Sequence, residues 1–351
     1  MSFRDIIEGS LSDWIRGDGP FSDVVLSSRI RLARNLEDMP FPHVASEGDL
    51  KKVLEQVEGA LRGMRGLGNL RMVRLAEMAP LDRQILVEKH LISPQHAENV
   101  KYKAVILRQD ETISIMVNEE DHIRIQTIFP GLQLENGWQL ASQVDDAFEA
   151  KLGYAFDEKI GYIAACPTNA GTGLRASVMV HLPALAMTNQ VGKVLSAVSH
   201  VGMAVRGLYG EGTEARGNIY QISNQVTLGR SEEDIMENLK GVTKQVIDQE
   251  RSARSYLLRE TKEKLEDTVY RAYGILSNAR LLTSEEALRL LSDVRLGIDA
   301  GLITEVDGKV LGELMVLTRP AYLQKLVGRE LSPFERDFHR AAHVRERMRK
   351  R

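Results

Sequence analysis

Two arginines one residue apart, a run of three carboxylates and a lone cysteine are the residues of this chain best suited to chemistry. In Ser27-Ser28-Arg29-Ile30-Arg31-Leu32, β-strand alternation puts Arg29 and Arg31 on one face while Ile30 and Leu32 turn to the core. Two fixed guanidinium forks side by side suit phosphate oxygens, although a solvated strand face would show the same pattern. Asn118-Glu119-Glu120-Asp121-His122 falls between two β-like runs, with Arg124 close enough to share its site. Rigidly held carboxylates there could align a cation and take a proton; three acids in a turn also occur as plain hydrated surface. Cys166-Pro167-Thr168-Asn169-Ala170-Gly171-Thr172-Gly173 ends an apolar strand and leads to Arg175. Nearby cations could favour a thiolate in such a loop, and a small buried hydrophobe is the plainer role for Cys166. Arg206-Gly207-Leu208-Tyr209-Gly210-Glu211-Gly212-Thr213 reads either as a loop free to close over a substrate, bringing an arginine and a carboxylate, or as a surface hairpin.

The common nucleotide signatures are missing. Neither Gly192-Lys193 nor Gly308-Lys309 continues into Ser or Thr in a P-loop frame, and no Asp-Phe-Gly occurs. If ATP binds, a different scaffold must hold it.

The elements that would position these residues are short β-like runs bounded by turns: 24–32, 104–108, 112–117, 123–129, 161–166, 177–182, 201–208 and 218–222. Gln109-Asp110-Glu111 reads as a hairpin turn. Helical spacing marks 138–152, 188–198 and 232–254. From about Tyr256 the β signal stops, and 256–274, 284–297, 310–317 and 332 to the end read as helices; Thr283 with Glu286 fits a capping box and Pro333 a first helical position. The expected fold is α+β: a largely antiparallel sheet flanked by helices, followed by a C-terminal helical domain.

At 351 residues, 43% hydrophobic and 27% charged, the chain has the composition of a globular protein. A net charge of -3 gives no reason to expect direct nucleic-acid binding, despite seven basic residues against three acids from Phe334 to Arg351. No apolar run is long enough to span a membrane and the N-terminus lacks a signal-peptide pattern, so a cytoplasmic location without membrane association is expected. One cysteine excludes an internal disulfide and a multi-cysteine zinc site.

Taken together, the motifs resemble the phosphagen kinases, which phosphorylate guanidino groups. The resemblance runs from about Asp23 to Arg254 and rests on five motifs in the family's order: Ser-Arg-Ile-Arg (28–31), Asn-Glu-Glu-Asp-His-Ile-Arg (118–124), Cys-Pro-Thr-Asn-Ala-Gly-Thr (166–172), Arg-Ala-Ser-Val (175–178) and Arg-Gly-X-X-Gly-Glu (206–211). It implies the family's glutamine-synthetase-like catalytic fold, with ATP and Mg²⁺ as cofactors. Arg29, Arg31, Arg124, Arg175 and Arg206 would grip the phosphates, Glu120 and Glu211 would hold the acceptor guanidinium, and Cys166 would lie beside it. The wider ATP-binding set is Ser27 to Arg31, His90, Arg124, Arg175, Ala176, Ser177, Val178, Met179 and Arg206 to Gly210, with His90 equally readable as a solvated helix-end residue.

Departures from the small-molecule enzymes narrow the acceptor. Only 26 residues precede Ser27, where those enzymes carry a helical domain, and Gly212 stands where they usually have His. A more open acceptor site is the expected consequence. In these respects the chain is similar to the bacterial protein-arginine kinases of the McsB type, whose Arg-Asp-X-X-Arg-Ala signature stands here as Arg336-Asp337-Phe338-His339-Arg340-Ala341. On a helix Arg336 and Arg340 lie one turn apart with Asp337 beside them, two donors for a phosphate and an acceptor for a guanidinium, or simply a charged surface helix.

The resemblance implies an allosteric phosphoarginine site there. It also implies a set of associations: a homodimer, a heat-shock transcriptional repressor among the protein substrates, a zinc-binding activator protein and a Clp ATPase/protease. The expected organisation is an N-terminal segment (1–22), a catalytic domain (23–254) and a helical domain (255–351). A kinase for free arginine, or a non-catalytic binder of a repressor or of phosphoarginine-marked proteins, are the competing functions.

Overall fold

The computed structural model describes residues 12–15, 18–207 and 216–349. Ten strands and eleven α-helices follow in order: β1 (Val25–Arg34), α1 (Glu47–Leu61), β2 (Leu70–Arg74), α2 (Pro80–Glu88), β3 (Ala104–Arg108), β4 (Ile113–Val117), β5 (Ile123–Pro130), α3 (Leu134–Glu149), β6 (Phe156–Asp157), β7 (Gly161–Tyr162), β8 (Leu174–His181), α4 (Pro183–Met187), α5 (Val191–His200), β9 (Met203–Gly207), β10 (Ile219–Asn224), α6 (Glu232–Glu260), α7 (Lys262–Asn278), α8 (Ser284–Asp299), α9 (Gly308–Leu317), α10 (Pro320–Val327) and α11 (Pro333–Arg349). No described helix is long and apolar enough to cross a membrane.

Eight strands form one sheet in the order β2-β3-β4-β5-β1-β8-β10-β9, with every neighbouring pair antiparallel. Because side chains alternate, one face of the central strands is apolar: Ile30, Leu32, Ile125, Ala176 and Val178 are fully buried. Helix α3 covers β1 and β5 on that side with Leu134, Ala141, Val144 and Phe148, while α6 covers β8 and β10. The approach of α3 is close enough that a Cβ on Gly137 would stand 3.1 Å from Ile30 Cγ1. The other face of the sheet is left for the site.

The expected α+β architecture is what forms, with some differences in detail. The run expected as a strand at 161–166 pairs only at Gly161–Tyr162, and Cys166 instead precedes a 3-10 turn at Pro167–Asn169. The 254/255 junction lies inside α6, a single helix of 29 residues that continues to Glu260. Six elements carried no expectation: α1, β2, α2, β6, α4 and α10.

The helical C-terminal part is fastened to the sheet domain by buried polar contacts. Glu88, the last residue of α2, accepts from the backbone N–H groups of Ala321 and Tyr322 at 2.9 and 3.0 Å, capping the N-terminus of α10. Glu250, fully buried on α6, does the same for Ala184 and Leu185 of α4 at 2.9 and 3.0 Å. In both cases a carboxylate satisfies otherwise orphaned donors at the positive end of a short helix that starts with proline. A third fastening is His181, whose Nε2 lies 2.8 Å from Ser292 Oγ on α8.

Candidate active site

The register of the central strands builds a cationic face. Arg31 lies opposite Arg175 of β8 and Gln126 of β5, while Arg29 lies opposite Ser177. Arg206 on β9 faces Gln221 on β10, and Arg124 on β5 lies opposite Ala33. Arg29 and Arg31 therefore share a face with Arg175, as alternation requires. Burial, then the neighbouring Arg124 and Arg175, lower the Arg29 guanidinium to about 10. Arg31 is displaced downward by burial and by Arg29, Arg124 and Arg175. Arg29 still carries charge at neutral pH, held against the repulsion of its neighbours. The buried Nε–H of Arg31 has no acceptor among the described residues, and an unsatisfied buried donor among cations calls for an anion's oxygen.

The three acids of the β4–β5 turn, placed by the left-handed Asn118 (φ 58°), have separate roles. Glu119 pairs with Arg124 and accepts from Ser93 Oγ at 2.6 Å. Burial would raise its carboxyl, but Arg124 and Ser93 bring it down to about 2. Asp121 is fully buried and accepts from Asn35 Nδ2 and Ala165 N, each at 2.7 Å, which ties the acidic turn to the strand-end loop of Cys166. Glu120 alone extends into open space, its carboxyl raised by partial burial and by Asp121.

Four of the five arginines meet Glu120 in one cleft of about 400 Å³. Arg31, Arg124, Arg175 and Arg206 line it together with Glu120, Cys166, Thr168 and Asn169, while Arg29 stands outside this lining. Cys166 Sγ lies 3.0 Å from Thr168 Oγ1. A row of guanidiniums adjoining an exposed carboxylate is fitted to hold a polyphosphate against a cationic acceptor.

The sequence comparisons agree with this geometry. Residues 52–253 match the C-terminal catalytic domain of the ATP:guanido phosphotransferases, and residues 262–351 match the C-terminal domain of the protein-arginine kinase McsB. The chain belongs to the protein-arginine kinase branch of the phosphagen kinase family. It is 55% identical over 351 residues to the protein-arginine kinase of Symbiobacterium thermophilum, covering 99% of both chains. The corresponding protein of Halothermothrix orenii is 56% identical over 348 residues, again covering 99% of both. Among solved structures, the crystal structure of lombricine kinase superposes with a TM-score of 0.58 at 25% identity, covering 72% of this chain and 76% of that one.

Within this phosphagen kinase frame not every expected site residue faces the cleft. Ile30, Ala176 and Val178 turn their side chains into the core, so only their backbones can reach a ligand. Ser28 donates to Gly131 O at 2.8 Å on the same hidden side, and Ser27 is buried. Ser177 lies within 3.5 Å of Arg29 Nε, and Met179 packs with Leu26, Ile219 and Met315. His90 is not a solvated helix-end residue: its ring stands edge-on to Trp14 at 5.7 Å, and burial followed by Arg29 and Arg319 lowers it to about 3. Gly207 closes β9, whereas Leu208, Tyr209, Gly210 and Glu211 lie outside the described residues.

On α11, Arg340 is buried and donates to Thr318 O, Leu282 O and Asp337 Oδ1 at 2.9, 2.7 and 2.6 Å. Asp337 is thus already paired with Arg340, Ala341 is buried, and Arg336 is the more accessible arginine of the motif.

Sequence reasoning missed Gln221, whose Oε1 accepts from Arg29 Nη2 at 2.5 Å, and Gln126, which donates to His90 O at 2.8 Å. The visible signal was alternation: Gln221 lies on the same strand face as the arginines across from it.

Proposed function

We infer that the chain transfers the terminal phosphoryl group of ATP to the guanidinium of arginine side chains on proteins. The observation that carries this reading is the single cleft joining four arginines to Glu120 and Cys166, in a chain of this family. A guanidinium is a weak nucleophile because its lone pairs are delocalised and it is protonated at neutral pH. Glu120 orients it and accepts a proton, helped by the upward displacement of its carboxyl. Arg29, Arg31, Arg124, Arg175 and Arg206 hold the phosphates and the charge that spreads over the transferring group. Glu119 keeps Arg124 in place, and Glu211 serves as the second acceptor carboxylate. Mg²⁺ enters on the triphosphate, since phosphate oxygens and water suit it and no described cluster of His, Cys, Asp and Glu is arranged to hold a metal.

The helix α11 motif (Arg336, Asp337, Arg340, Ala341) we assign as a phosphoarginine receptor that modulates the kinase, supported by its match to the family signature and by its buried anchor Arg340. In Arg336→Ala the ratio of rates with and without added phosphoarginine should fall to one; an unchanged ratio refutes the receptor. A cytoplasmic homodimer acting on a heat-shock repressor, with a zinc-binding activator and a Clp protease as partners, is the setting the family supplies.

The activity is tested by incubating the protein with Mg-ATP and a protein acceptor and mapping products by mass spectrometry under conditions that preserve acid-labile P–N bonds. Phosphoarginine that disappears with Glu120→Ala is the expected result. Transfer to free arginine alone, or none at all, overturns it.

A further inference from the structure

The strand-end segment that leaves β10 carries an apolar surface directly beside the acceptor end of the cleft. Gln225 lines the cleft together with Thr168 and Asn169. Beyond it, Thr227 is buried and donates its hydroxyl to Ala170 O at 2.6 Å, with Thr168 O at 2.9 Å. Asn224 ties the start of the segment to Leu174 O at 3.0 Å. A Cβ on Gly171 would stand 3.0 Å from Leu228 Cα, so the segment lies flat on the cysteine loop. With Thr227 pinned inward, alternation forces Val226 and Leu228 outward, and they are 54% and 53% exposed.

No charged residue occurs from 217 to 229, in a chain that is 27% charged. Single exposed apolar residues are ordinary; two on a pinned, uncharged segment at the mouth of a site mark a contact surface.

We propose that Val226 and Leu228 form the docking rim for the polypeptide that carries the target arginine, and that they favour segments with an apolar side chain within a few residues of it. This rests on the reading of the Glu120 end as the acceptor site. A free arginine would end inside the cleft, whereas a polypeptide has to continue beyond it, and Val226 directly follows Gln225 of the cleft wall. The rim is continuous with the cleft wall, and its chemistry matches an uncharged extended segment rather than an acidic or basic one.

The test uses the full chain and two peptides, one with its arginine between leucines and one with its arginine between serines, with kcat/KM measured for each. The wild type should prefer the leucine peptide by about tenfold, the range a few methylenes provide. In Val226→Ser/Leu228→Ser that ratio should fall to near one with the KM for ATP unchanged. A ratio near one in the wild type, a ratio that survives the substitutions, or a parallel fall for both peptides overturns the rim. Light scattering on the same variant covers the other occupant: a change in mass would mean that a second copy of the chain covers the patch, which also overturns it. Glu120→Gln separates the underlying reading. If it abolishes transfer to both peptides the acceptor site stands, and if transfer persists that assignment fails while the peptide ratio still decides the rim.

Discussion

His181 should make the junction between the catalytic and helical parts sensitive to acid. The residue ends β8, is 4% exposed, and faces Ser292 Oγ at 2.8 Å. Burial, then Arg295 and Arg254, lower its imidazole from 6.5 to about 3. A histidine depressed in the folded state stays neutral there while the unfolded chain takes up a proton. Its contribution is therefore fully present above pH 6.5 and is lost as pH falls toward 3. At pH 5 the unfolded chain lies about 1.5 units below its own pKa, so the loss relative to neutral pH is about 2 kcal/mol. The comparison is with His181→Gln, which can still reach Ser292 and does not titrate. Urea unfolding of both proteins at pH 7 and pH 5 isolates the effect, because His90 and His96 are also lowered, to about 3 and about 4, and act equally in both. The wild type should lose about 2 kcal/mol more than the variant between the two pH values. Parallel pH dependences would refute the reasoning.

Three further outcomes follow from the site. Gln221→Glu places a carboxylate against Arg29 and across from Arg206, so it should raise stability by about 1 kcal/mol by relieving repulsion; it should also raise the KM for ATP about tenfold by competing for the same guanidiniums, as read from unfolding and steady-state kinetics. Asp121→Ala removes the acceptor of Asn35 and Ala165 N and should cost about 2 to 3 kcal/mol in chemical denaturation, whereas Asp121→Asn keeps one oxygen in place and should cost less than about 1. Chelation of Mg²⁺ should abolish transfer without shifting Tm in the absence of nucleotide, a pairing checked by activity assay and thermal melt.

The parts of the fold that were legible in the sequence are those with strong periodicity. The strands at 104–108 and 123–130 are apolar-rich runs buried on both faces, the helices at 232–260 and 284–299 bury apolar residues at helical spacing, and burial is what the pattern records. α10 escaped notice because it is only eight residues long and is held by Glu88 from a distant helix. The run 161–166 looked like a strand throughout because it is apolar, but beyond Tyr162 its backbone bonds go to single partners, such as Ile163 N to Ala155 O, and not to a ladder. At the site, alternation located Arg29 and Arg31 correctly on one face. It did not distinguish Glu119, Glu120 and Asp121, whose roles are set by the nearby Arg124 and by Ser93, Asn35 and Ala165, residues that no local pattern links to the turn.

The cationic face has a cost that the rest of the structure must offset. Arg124 and Arg175 lower Arg29, and Arg29, Arg124 and Arg175 lower Arg31, so bringing them together opposes folding until an anion arrives. The described scaffold places buried carboxylates elsewhere: Asp145 on Arg34 at 2.6 Å, Glu111 on Lys89 at 2.5 Å, and Glu88 and Glu250 on helix ends. Each fixes an element that carries or borders the arginine face, and beside the cleft Glu119 is paired with Arg124. The arrangement holds the guanidiniums in place on one face where a ligand can meet them, which is what electrostatic preorganisation requires. It follows that a bound polyanion should stabilise the fold in proportion to its negative charge, triphosphate more than diphosphate, because the relief of repulsion is greatest where the most arginines find an oxygen.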